Sequence, residues 1–136
     1  MKVVLDNNVL ISAIFWKGPP NLILRLAEKG LITLITSQDI LVELTGVLSR
    51  PKFAPYLRRS GYTVQGLIRE ISLLSQVMAP TEQIEGVSVD PADDKFLSCA
   101  VSAQAAFLIS GDHHLLSLKR FRDIAIVKPT QFLTHF

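Results

Sequence analysis

Cysteine is almost missing from this chain. Its 136 residues hold one, Cys99, so no internal disulfide can form, and a reducing compartment is compatible with that usage. Histidine is scarce too: three residues, of which His113 and His114 are adjacent and cannot easily point into one pocket, so they read as surface or loop positions. A zinc centre would want His and Cys, and this composition argues against one. No apolar run approaches the ~20 residues of a membrane span. Lys2 precedes an apolar run, but Asp6, Asn7 and Asn8 interrupt it too early for a signal peptide, so a cytoplasmic protein is expected. Linkers, repeats and low-complexity segments are absent. Net charge is only +2, too small to argue for nucleic acid by itself.

What is present is apolar residue, at 49% of the chain. A single domain over residues 1–136 is expected, and a chain this long can bury ~68% of its extended surface. High apolar content in so small a chain also hints at an oligomer. Strand signals fall at Val3–Leu5, Leu31–Thr36, Phe107–Ser110 and Ile124–Val127, with a weaker one near Val77–Ala79. Helical patterns lie between them. Pro19-Pro20 open one and Gly30 closes it. Thr36-Ser37 can cap the next, which should stop near Arg50 because Pro51 follows. Tyr62 to Gln76 reads as another, and Asp90-Pro91 begins one running to about Ala105. Alternating strands and helices predict an α/β fold: a three-layer α/β/α domain with a central parallel sheet of about five strands.

Carboxylates carry the chemistry. Asp6 ends the Val3-Val4-Leu5 strand, where α/β sheets place their ligand sites. It could equally cap a helix from Val9 onward. Asp112 repeats the pattern after Phe107–Gly111, and could also cap a short helix over His113–Leu118. Glu43 lies at the edge of the stripe Ile40, Leu41, Leu44, Val47 and Leu48, beside a possible cleft, although a surface role is the commoner one for a helical Glu. Asp90 reads as a cap and Asp93 as a first-turn acid. Asp94 is not needed for capping and is the preferred ligand of the pair, with Asp93 its rival. Clustered acids repel unless a cation joins them, and hard divalent ions suit oxygen ligands. Cys99 reads as packed core, and Trp16 as a packing or interface aromatic.

Between Glu43 and Glu70 no acid occurs, while Arg50, Lys52, Arg58, Arg59 and Arg69 do, with Tyr56 and Tyr62. Lys119-Arg120 and Arg122 follow Asp112. Solvated charge is the ordinary explanation, but an acidic centre with basic flanks suits a phosphodiester backbone.

Six short pieces, in order along nearly the whole chain, make it resemble a PIN-domain ribonuclease of the kind acting as toxin in toxin–antitoxin pairs (VapC-like). They are Val4–Leu10, Gly18-Pro19-Pro20, Ser37 to Leu44, Arg50-Pro51-Lys52-Phe53, Asp90 to Leu97, and Ser110-Gly111-Asp112. The resemblance implies a five-stranded parallel sheet and a quartet of acids around Mg²⁺ or Mn²⁺, falling on Asp6, Glu43, Asp94 and Asp112. It matches Ser110 and Asn8 to polar positions beside the last and first acids, with Asn7 where the family often has Thr. It further implies metal-dependent hydrolysis of RNA, a cognate antitoxin and a homodimer. Two rivals stand beside it. A haloacid-dehalogenase-type phosphatase also begins with a strand-end Asp, but needs a second Asp where Asn8 stands. A PIN-like module that binds RNA or a partner without cutting is the other.

Overall fold

The computed structural model describes all 136 residues. Its frame is a sheet of six strands: β1 (Lys2–Leu5), β2 (Thr33–Ser37), β3 (Gln76–Met78), β4 (Phe107–Ile109), β5 (Arg120–Phe121) and β6 (Ile124–Val127). The spatial order is β3-β2-β1-β4-β6-β5. Five strands run parallel, as expected, with Val4 opposite both Ile35 and Leu108. The sixth, β5, pairs antiparallel with β6 and was not expected. Two residues carry no periodicity, and the turn between these strands uses a non-glycine residue, Arg122, at φ 54°.

Eight helices surround the sheet: α1 (Asn7–Phe15), α2 (Pro19–Glu28), α3 (Gln38–Leu48), α4 (Ala54–Ser60), α5 (Val64–Leu74), α6 (Asp94–Ala103), α7 (His113–Leu116) and α8 (Pro129–Leu133). The expected helices at 19–29, 37–50, 62–76 and 90–105 all form, each slightly shorter than expected. The last is divided: Pro91–Asp93 make a tight 3-10 turn before α6 begins. Of the others, α4 and α8 span two turns or fewer, too little for a readable stripe.

Side-chain alternation along the strands creates three layers. Val3, Leu5, Leu34 and Ile109 face one core, shared with α1, α2, α3, α5 and α8. Val4, Ile35, Leu108 and Ile126 face the other, shared with α6 and α7. Cys99 lies fully buried there, and burial pushes its thiol up to about 12, consistent with packed core.

The chain adds β2 and β3 on one side of β1, then β4 and β6 on the other. The connections therefore leave β1 and β4 in opposite directions. Such a switch opens a crevice beyond the carboxyl ends of the two strands, the preferred ligand position in open α/β sheets. Asp6 and Ser110 are the first residues past those ends.

Candidate acidic active site

Asp6 caps α1. Its Oδ1 accepts from the Val9 amide at 2.8 Å. This is the capping role read from the sequence, and it leaves Oδ2 to a second partner beyond the strand ends. There the Ser110 hydroxyl donates to Oδ2 across the β1–β4 boundary. Ser110 Oγ in turn accepts from the Asp112 amide at 2.9 Å. Asp112 caps the short helix α7 through the His114 amide, also at 2.9 Å. One fully buried hydroxyl therefore fixes the two strand-end acids relative to each other.

Asp6 is only 3% exposed and pairs with no cation. Burial raises its pKa, and the negative charge of Asp112 adds to the rise; the Ser110 and Val9 hydrogen bonds oppose it.

Asp93 is the third member. Burial first, then a hydrogen bond and charge repulsion from Asp112, push its carboxyl up to about 7, with Asp90 and Asp6 adding to the effect. The same hydrogen bond holds Asp112 below the ordinary carboxylate range, aided by the His114 amide and the two neighbouring histidines. Asp93 Oδ2 is buried and meets no donor.

Asp94, preferred from the sequence, is occupied elsewhere. Its Oδ1 accepts from the Ser88 amide at 2.8 Å and its Oδ2 from the Gly86 amide at 3.0 Å. Both oxygens thus face the loop before the helix. Successive residues of a tight helical turn point about 100–120° apart, so a turn that aims Asp93 at Asp112 aims Asp94 at the loop. The structure brings Asp93 rather than Asp94 to Asp6 and Asp112.

Glu43 is half-buried and engaged by two residues whose contacts sequence reasoning missed. The Asn7 amide donates to its Oε1 at 3.3 Å, and also to the Ile40 carbonyl. The Lys95 ammonium forms an ion pair with its Oε2. Lys95 follows the two aspartates directly, and this adjacency was the available signal. Asn8 is exposed, as are His113 and His114.

The donor set is all hard oxygen, mutually repelling and partly buried, with an unpartnered Asp93 oxygen. That chemistry fits a divalent cation and excludes a soft-ligand metal. As the side chains stand, no three of them close around a single point.

The sequence matches the model of the PIN domain over residues 2–114. The chain belongs to the PIN domain family. This membership supports a function of nuclease type. Among solved structures, the fold is similar to a chain of VapBC2 from Rickettsia felis, bound there to a DNA fragment from its promoter. The TM-score is 0.61 at 18% identity, covering 93% of this chain and 97% of that one. It is also similar to a chain of VapBC-1 from nontypeable Haemophilus influenzae, at TM-score 0.58 and 19% identity, covering 96% and 99%. No curated protein matches in sequence. At these identities the structural likeness speaks for the PIN fold alone.

Proposed function

We propose that this PIN domain is a metal-dependent endoribonuclease, the toxin of a toxin–antitoxin pair. One observation carries the reading. Asp6 is buried without a cation at the sheet's switch point, with Asp112 and Asp93 beside it and one buried Asp93 oxygen unpartnered. Asp6, Asp93 and Asp112 would hold Mg²⁺ or Mn²⁺, with Glu43 at the margin of the site. The bound cation would neutralise charge developing on the phosphoryl group and activate a water nucleophile.

This chain's own residues do the rest. A bound cation would favour the charged form of Asp93, against the burial and repulsion that raise its pKa. Ser110 keeps Asp6 and Asp112 in register. Asn7 holds Glu43 towards α1, and Lys95 offsets its charge. The VapBC chains that share the fold support an antitoxin as partner. A homodimer is part of the same reading, as is residence in the cytoplasm; no helix is long and apolar enough to cross a membrane.

The Glu43–Lys95 pair favours one alternative, a module that binds RNA or a partner without cutting, since an internal cation already satisfies one acid. The phosphatase reading loses ground, because Asn8 is exposed and acidic side chains crowd the strand end instead. One assay separates these: cleavage of end-labelled single-stranded RNA with Mn²⁺ or Mg²⁺, beside EDTA and Asp6→Asn controls. Cutting lost in both controls is expected. An Asp6→Asn protein that folds and cuts like the wild type would overturn the assignment. Co-purification with the product of an adjacent small reading frame tests the antitoxin, and light scattering on the purified chain tests the dimer.

A further inference from the structure

Beyond the acidic cluster lies a second feature that the nuclease reading leaves unused. The far end of α1 carries Phe15 and Trp16. Phe53 stacks on Phe15 at 6.1 Å between ring centres, and Tyr56 meets Phe15 at 5.6 Å and Trp16 at 5.1 Å. Phe53 is buried and anchors the group, whereas Trp16 is 43% exposed. A cavity of about 220 Å³, roomy enough for one planar base, opens between Ile14, Phe15, Tyr56, Arg59 and Ser60. The Arg59 guanidinium lies 5.0 Å above the Tyr56 ring, and the Lys52 ammonium 5.1 Å above that of Phe53.

The charge around this platform has one sign. Residues 44–69 contain no acid, and Arg50, Lys52, Arg58 and Arg59 are all exposed. None of them takes part in any of the three ion pairs of the molecule. We infer that the Trp16–Tyr56 platform and its basic rim are a docking site for single-stranded RNA, with a base stacked on the aromatics and phosphates on Arg59 and its neighbours.

Stacking on aromatic rings beside unpaired cations is how single strands are held without sequence readout. A second copy of this chain is a poorer occupant, because a two-fold contact would bring the same cations face to face. Asp6 caps one end of α1 and Trp16 closes the other, so the nine helical residues put platform and acidic cluster about 14 Å apart along the axis. A strand of a few nucleotides spans that distance. The inference rests on the proposed ribonuclease function and locates where its substrate is gripped away from the cut.

Trp16 is the only tryptophan, so its fluorescence reports this platform alone. The test titrates fluorescein-labelled oligouridylate into the protein in EDTA, following anisotropy, and repeats the titration with unlabelled oligomer, following tryptophan emission. Saturable quenching of Trp16 is expected at the concentrations that give the anisotropy change. Tyr56→Leu should weaken binding about tenfold. Arg59→Gln, an exposed change that leaves the fold alone, should lower the salt dependence by about one counterion. Unchanged affinity in both variants, with Trp16 emission unmoved, would overturn the docking site and leave the nuclease reading standing. A wild-type protein that neither binds nor cuts RNA would overturn both. Variants that change sedimentation but not RNA affinity would overturn the site in favour of a protein interface.

Discussion

Two adjacent aspartates here do unlike work. Asp94 satisfies two backbone amides with a buried carboxylate, whereas Asp93 faces other acids. Their substitutions should therefore diverge. Asp94→Ala strands the Gly86 and Ser88 amides and should cost about 2–3 kcal/mol of stability by denaturant unfolding. Asp93→Asn keeps the shape and relieves repulsion, so it should unfold no more easily than the wild type near neutral pH, yet lower RNA cleavage on the order of 100-fold. Cleavage surviving in Asp93→Asn but lost in a folded Asp94→Asn would restore Asp94 as the ligand.

The raised pKa of Asp93 gives a pH dependence of fixed sign. The folded protein binds this proton more tightly than the unfolded chain does, since the pKa is about 7 against an ordinary 3.8. Its contribution to stability is complete below the unfolded value, declines as pH rises and is gone above about 7. In metal-free buffer, Asp93→Asn should thus gain on the wild type as pH rises from about 4 to 7, then stay level. Thermal melts of the two proteins across that range measure the difference. A constant difference would show that Asp93 titrates normally.

At the scale of elements, α6 organises the loop before it. Asp94, Ser98 and Ser102 recur every four residues and so share one helix face. Ser102 Oγ accepts from the Thr81 and Glu82 amides, Ser98 Oγ from the Ile84 amide at 2.8 Å, and Asp94 from Gly86 and Ser88. A stretch without regular structure thereby satisfies its backbone from one polar stripe. Ser98→Ala removes a buried acceptor and should cost about 1–3 kcal/mol. Hydrogen exchange should quicken at the Ile84 amide while the β1 amides stay protected; uniform quickening would mean that the loop and sheet open together.

For the whole molecule, the acidic cluster at the β1–β4 switch is a local burden that a cation relieves. Mn²⁺ at a hundredfold over its dissociation constant should stabilise the fold by about 2.7 kcal/mol, seen as a rise in Tm that EDTA reverses. Asp6→Asn and Asp93→Asn should each blunt that rise, and Arg59→Gln should not. An equal rise in all four proteins would place the cation elsewhere.

Much of this architecture was legible in the chain itself. Apolar runs ending in Asp6 and at Ser110 mark central strands, because a strand buried on both faces needs uninterrupted Val, Leu and Ile. Pro19, Gly30, Ser37 and Pro91 mark helix boundaries, because their backbone and capping chemistry acts locally. The same locality made Asp6 and Asp112 readable as strand-end acids. Other features depend on contacts between distant segments. The two-residue strand β5 exists through β6, and the Glu43–Lys95 and Glu43–Asn7 contacts join residues far apart in sequence. Asp93 and Asp94 are alike as residue types at adjacent positions. One 3-10 turn, held between a capping aspartate and a loop that needed acceptors, decided which of them faces the acids. Strand, helix and candidate acid were thus determined by sequence, through steric and capping rules that operate within a few residues. Which acids meet, and which cations stay unpaired beside an aromatic platform, was decided only by tertiary packing.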